Sequence, residues 1–323
     1  MGDILLMTPL LRALRQRHPQ ARITVLTKTV FAPLLERNPR VTEVIGWAPG
    51  ASLREIGAAL GRRGFTHRLD LHGSPRSRVL RWYAGGPWTG YPKHRAARTM
   101  LIKTRRNFYR DRRPVAERYF DAARGLDVQP DAGPLEIFLA APTLAAAGEF
   151  LARNGLGVAR QLIALAPGAA HFTKRWPPHH WKALVRLLIA SGNDVVLVGG
   201  PADRELCVAA AADSGERAVS AAGQFNIPGT AALLKRARAL VSGDTGVMHL
   251  ATAVGTPVVA LFGPTVEAFG FFPYHAKSAV LQRELPCRPC SSHGTAACPL
   301  KHHRCLQDLQ PDQVLEALRK LPR

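Results

Sequence analysis

Short apolar, β-rich runs alternate with segments of helical spacing along almost the whole chain, and this rhythm constrains the fold more than any other feature of the sequence. ARITVLT (21–27), VTEVIGW (41–47) and THRLDLHG (66–73) have the composition of strands, with helical spacing between them at 52–60 and 74–83. The pattern restarts after Asn154-Gly155: QLIALAPG, a helix over 178–190, DVVLVGG, a helix over 202–212, RAVSAAG (217–223), a helix around 230–238, ALVSG (239–243), a helix over 246–254, then TPVVALFG (256–263). Strand–helix alternation of this kind builds parallel sheets covered by helices. With 323 residues, two such units are expected, at 1–150 and 151–323. Pro177-Pro178 suits a helix start, and Gly192 and Gly255 suit left-handed helix ends.

The composition, 46% hydrophobic and 21% charged, is that of a packed soluble protein. No run reaches the roughly 18 apolar residues of a membrane span, and the N-terminus has neither the basic region nor the cleavage site of a signal peptide, so the expected compartment is the cytosol. The net charge is the unusual quantity: 44 Lys+Arg against 23 Asp+Glu give +21. Residues 1–150 hold 25 basic and 12 acidic residues, a share of +13. Such a field favours an anionic partner. It is densest over 93–118, where Arg95, Arg98, Arg105 and Arg106 are candidates for holding a phosphorylated or membrane-borne acceptor, the alternative being a solvated face. No nucleic-acid partner is expected, because the stretch lacks interleaved stacking aromatics and matches no such module.

Two strand–loop–helix junctions carry the chemistry. In ALVSGDTGVMHLATAVGTPVVALFGPT (239–265) a strand runs into Gly243-Asp244-Thr245-Gly246, so the backbone N–H groups of the following helix can hold a phosphate; the plain alternative is an N-cap by Asp244. In LAPGAAHFTKRWPPHHW (165–181) a strand ends at Pro167-Gly168 and Lys174 follows in a short loop, where it can neutralise a diphosphate or simply be a surface charge. The spacing is not that of a Walker A loop. Trp176 and Trp181 are expected in the core.

These stretches, with TPLLRALRQRHP, ITVLT, LDLHGS and VVLVGGPADRE, resemble the ADP-heptose:lipopolysaccharide heptosyltransferases, glycosyltransferase family 9, and among them the heptosyltransferase II-like members. The likeness covers nearly the whole chain. It implies an α/β GT-B fold, two Rossmann-like domains facing across a central cleft, and inverting transfer of heptose from ADP-heptose to the lipopolysaccharide inner core without a catalytic metal or cofactor. It implies Asp3 as general base and Lys174 as the diphosphate-binding cation. For the donor it implies Gly168, Asp244, Thr245, Gly246 and His249, with Glu205, or Asp203 as rival, at the ribose. The implied acceptor is a phosphorylated lipid A–Kdo core, met by peripheral contact at the cytoplasmic face of the inner membrane. Relatives also place a buried strand ahead of the Gly2-Asp3 turn, where this chain has only Met1, so that strand is expected to be missing, with a vacant edge beside 22–27.

Two matters stay open at this level. Cys287, Cys290, Cys298 and Cys305, spaced C-x2-C-x7-C-x6-C, are compatible with packed thiols, with a structural zinc or with a disulfide, whereas Cys207 has the setting of a small buried hydrophobe. The alternatives for function are a family 9 transferase acting on another sugar or glycan, and a non-catalytic anion-binding protein supported by charge alone.

Overall fold

The computed structural model describes residues 1–322. Its first half opens with helices α1 (Gly2–Leu6) and α2 (Thr8–Arg17), then strands β1 (Thr24–Lys28) and β2 (Glu43–Trp47), helix α3 (Leu53–Gly61), strand β3 (Leu69–Asp70), helix α4 (Pro75–Ala84) and strand β4 (Thr89–Gly90). Helices α5 (Arg95–Thr104), α6 (Val115–Arg118) and α7 (Ala141–Arg153) follow. The second half contains β5 (Leu162–Ala166), α8 (Pro178–Ala190), β6 (Asp194–Leu197), α9 (Arg204–Ala211), β7 (Ala218–Ser220), α10 (Ile227–Arg236) and β8 (Ala239–Gly243). It closes with α11 (Gly246–Ala253), β9 (Val258–Phe262), β10 (Ser278–Gln282), α12 (Arg304–Gln307) and α13 (Pro311–Lys320).

The second half is one six-stranded parallel sheet in the order β10-β9-β8-β5-β6-β7. Strands β5, β6, β8 and β9 are buried at every residue, as expected where helices cover both faces. Trp176 and Trp181 lie in this core, their rings edge to face with centroids 4.9 Å apart. Cys207 is fully buried, and burial pushes its thiol up to about 12. Pro178 opens α8, and Gly192 and Gly255 adopt φ of +84° and +81° after their helices.

The first half differs from a continuous sheet. Its strands form two separate parallel pairs, β1-β2 and β3-β4, and among the described residues no strand pairs with the other edge of β1. The eight-residue run 66–73 yields only Leu69–Asp70 as strand, because the Asp70 carboxylate accepts from the backbone of His72 and Gly73 at 3.1 and 2.7 Å and turns the chain at once. Asp70 also accepts from Ser77 Oγ at 3.0 Å, and Ser74 with Ser77 makes a capping box that starts α4. Helix α4 lies so close on α3 that a Cβ at Gly57 would sit 2.5 Å from Tyr83 Cβ and 2.9 Å from the Leu80 carbonyl. Helix α7 runs through residue 150, where the sequence reading divides the units, and packs on α10.

The halves share a hydrophobic core. Leu5, Leu6, Leu10 and Leu11 of the first two helices belong to the same buried cluster as Leu240, Met248 and Leu250. This brings the first residues of the chain onto α11. A Cβ at Gly246 would meet Met1 at 2.7 to 3.3 Å, and one at Gly2 would sit 3.0 Å from the His249 ring. No helix of the described residues is long and apolar enough to cross a membrane.

Candidate active site

The carboxyl ends of β5 and β8 deliver two charged side chains to one another. Lys174 leaves the short turn after β5, Asp244 the loop after β8, and Nζ lies 2.6 Å from Oδ2 and 3.1 Å from the Asp244 carbonyl oxygen. Both are largely buried. Thr265 Oγ1, from the loop after β9, donates to the same carboxylate oxygen at 2.7 Å. Asp244 therefore does not cap α11, which corrects the N-cap alternative: the cap position is Thr245, which makes no side-chain capping bond and instead lies 3.1 Å from Ser242 Oγ. The first N–H groups of α11 are free of side-chain caps, and the helix dipole adds positive potential beside the Lys174 ammonium.

Asp3 reaches this neighbourhood from the opposite half. It lies exposed in the first turn of α1, near the buried Tyr119 and the half-buried Tyr91, whose rings meet edge to face with centroids 4.9 Å apart. Burial holds the Tyr119 phenol well above its ordinary value and raises Tyr91 to about 12, so both stay protonated and available as donors. His249, 2% exposed, is influenced by Asp244, Asp3, Lys174 and the chain's own ammonium group, which places residues from three distant stretches in one electrostatic neighbourhood. Gly168 follows β5, and its backbone lies under the Asp203 carboxylate, which accepts from Gly200 N at 2.9 Å. Asp203 is thus committed to its own loop, while Glu205 stands exposed in the first turn of α9.

The basic stretch does not act as one surface. Arg95 lines a cavity of about 290 Å³ with Arg78, Arg81, Lys93, Tyr91 and Asp70. Lys93 donates to the His72 carbonyl, Arg95 to the Gly73 carbonyl at 2.6 Å, and burial lowers the Lys93 pKa. Arg98 turns instead to Tyr109 and sits 5.5 Å from the centroid of the Phe269 ring, while Arg105 and Arg106 are exposed. Arg118 is buried against the Phe269 and Ala268 carbonyls. Three of these cavity residues, Arg78, Arg81 and Tyr91, lie outside the basic stretch over 93–118 that the sequence offers as an acceptor surface. Their signal was the Asp70 turn, which brings α4 against the 91–95 loop.

The cysteine segment braces the Lys174 turn. Thr173 exchanges backbone and hydroxyl hydrogen bonds with Thr295, and buried Arg288 donates to the carbonyls of Gly263, Thr265 and Arg283 at 2.5 to 2.8 Å. All five cysteines are free thiols. Burial raises Cys290 and takes Cys305 to about 12. Among the described residues no three His, Cys, Asp or Glu side chains are drawn together in a metal-binding group.

Burial holds the His249 imidazole at about 4, against 6.5 ordinarily. The unfolded chain then takes up a proton first as pH falls. Stability is expected to be full above pH 6.5 and to decline between 6.5 and 4, at about 1.4 kcal/mol per pH unit from this residue. Urea titrations at pH 7 and pH 5 check this; equal stability of the wild type at both, or an unchanged slope in His249→Gln, would overturn it.

Two α/β units joined through one core, with an uncapped helix N-terminus and a lysine at the carboxyl ends of the second sheet and the first residues of the chain packed on that helix from the other half, have the architecture of a GT-B glycosyltransferase. The comparisons agree and go further. Residues 53–301 match glycosyltransferase family 9 (heptosyltransferase). The lipopolysaccharide heptosyltransferase 2 of Salmonella typhimurium is 31% identical over 340 residues, covering 99% of this chain and 95% of that protein. The glycosyltransferase family 9 structure from Veillonella parvula superposes with a TM-score of 0.80 at 26% identity, over 99% of this chain and 93% of that one. The Escherichia coli ADP-heptose lipopolysaccharide heptosyltransferase II gives 0.74 at 28% identity, over 98% and 94%. The chain belongs to glycosyltransferase family 9, the heptosyltransferases.

Proposed function

We propose that this enzyme transfers heptose from ADP-L-glycero-β-D-manno-heptose to a phosphorylated lipid A–Kdo core, with inversion. The observation that carries the reading is the Lys174–Asp244–Thr265 ladder beside the uncapped start of α11, with Asp3 presented from the other half. The donor diphosphate would lie on the α11 N–H groups and Lys174, along the loops that carry Gly168, Thr245 and Gly246. His249 stays neutral beneath it. Asp3 would take the proton of the acceptor hydroxyl as oxygen attacks the anomeric carbon, and the charge growing on departing ADP would be met by Lys174 and the helix N-terminus. Glu205 is assigned to the ribose hydroxyls. Anionic groups of the acceptor suit the cavity around Lys93 and Arg95, and a lipid-borne acceptor places the enzyme peripherally on the cytoplasmic face of the inner membrane.

The deciding experiment is transfer to defined heptose-less cores with ADP-heptose set against UDP- and GDP-sugars; turnover confined to another nucleotide sugar would replace the donor assignment. The sequence contains no DxD carboxylate pair to bridge a metal and a diphosphate. We expect EDTA to leave turnover intact, with any zinc at Cys287, Cys290, Cys298 and Cys305 structural. Loss of transfer restored by Mg²⁺ or Mn²⁺ would refute the metal-free mechanism.

A further inference from the structure

Helix α4 has two apolar faces, and only one of them is used by the fold. Leu80 and Ala84 are buried, and α3 closes on this side through Gly57 and Gly61. At 3.6 residues per turn, Pro75, Val79 and Trp82 fall on one stripe turned away from these two, with Arg76 and Arg78 on its flanks and Tyr83 at its border, its Cβ against α3 at Gly57. The stripe faces water: Trp82 is 75% exposed and Val79 43%, Pro75 and both arginines are exposed as well, and the bordering Tyr83 is 37% exposed. A single exposed apolar side chain is ordinary. A valine and a tryptophan at i and i+3 between arginines, with a partly exposed tyrosine at their border, form a surface that water does not favour.

We infer that this outward face of α4 is the surface by which the enzyme docks on an anionic lipid bilayer. An aromatic–aliphatic stripe between arginines matches a helix lying in the headgroup region, apolar side down, with guanidinium groups on lipid phosphates. The occupant is chosen by charge, because 1–150 holds +13 of the total +21, a field that attracts an anionic leaflet. It is also chosen by position: Arg78 flanks the stripe and at the same time lines the basic cavity with Lys93 and Arg95. A headgroup-bearing acceptor anchored in the layer touched by Trp82 would enter that cavity without leaving its lipid surface. The inference rests on the proposed lipid-borne acceptor and adds the face that meets it.

The test uses the full chain and a double variant, Val79→Ser with Trp82→Ser, neither residue lining the cavity. Partition is measured on phosphatidylglycerol–phosphatidylethanolamine vesicles, turnover on a water-soluble deacylated core, and mass in solution by light scattering. Wild type should bind the vesicles and the variant about tenfold more weakly or worse, the effect of withdrawing large apolar side chains from an apolar setting. Turnover on the soluble core should be the same for both. Equal partition, or no vesicle binding by the wild type, would overturn the docking face. So would a wild-type dimer that the variant dissociates, since a second copy would then cover the stripe. Absent turnover on the soluble core by a wild type whose vesicle binding the variant loses would overturn the proposed acceptor and uphold the docking face.

Discussion

Asp3→Ala is expected to abolish transfer while leaving ADP affinity close to that of the wild type. The carboxylate is exposed, and it is not among the partners of the Lys174–Asp244–Thr265 ladder. Its removal takes away a proton acceptor without touching the groups assigned to the diphosphate. A positioned general base contributes about 10²–10⁴ in rate, and the loss should fall on kcat, because the base acts only as the acceptor oxygen attacks. Asp3→Asn sharpens the test: the amide keeps the size and polarity of the side chain but cannot take the proton, so it should be as inactive as alanine. Single-turnover rates and ADP titrations on both variants check this. Turnover within about tenfold of wild type would remove Asp3 from the chemistry.

The second half was legible in the sequence almost residue by residue, because its order is local. ALVSG and the helix over 178–190 fall where β8 and α8 do, since fully buried strands make unbroken apolar runs and proline and glycine mark the helix ends. Misreadings occur where a distant partner decides. Asp244 has the position of a helix cap, but Lys174, seventy positions earlier in the chain, claims its carboxylate. THRLDLHG has the composition of a long strand, but the Asp70 side chain folds back on its own backbone. Strand β10 is only half-buried at the sheet edge and gave no contrast with its surroundings. The basic stretch looked uniform in one dimension; packing turns Arg98 and Arg118 inward, leaves Arg105 and Arg106 in water, and recruits Arg78 and Arg81 from another helix to join Arg95.

Lys174→Ala should impair donor binding and chemistry together, because the partner charge exists in the bound diphosphate and grows as ADP departs. The largely buried ion pair makes the effect larger than that of a lost surface charge. Removing the ammonium leaves the Asp244 carboxylate with Thr265 as its remaining side-chain partner, beside the site assigned to an anion. Truncating one member of a buried pair typically costs about 3–5 kcal/mol, and removing one donor to transition-state charge costs about 10²–10³ in kcat. The stranded carboxylate supplies a second test. Lys174→Ala combined with Asp244→Asn should recover part of the ADP affinity by removing the repulsion, but little of kcat, because no cation returns. Lys174→Arg should recover less than charge alone would predict, since a planar fork cannot donate from one point to both the Asp244 carbonyl and its carboxylate as Nζ does. Calorimetric ADP titration and steady-state turnover on the three variants measure both quantities; ADP affinity unchanged in Lys174→Ala would show that the diphosphate is held elsewhere.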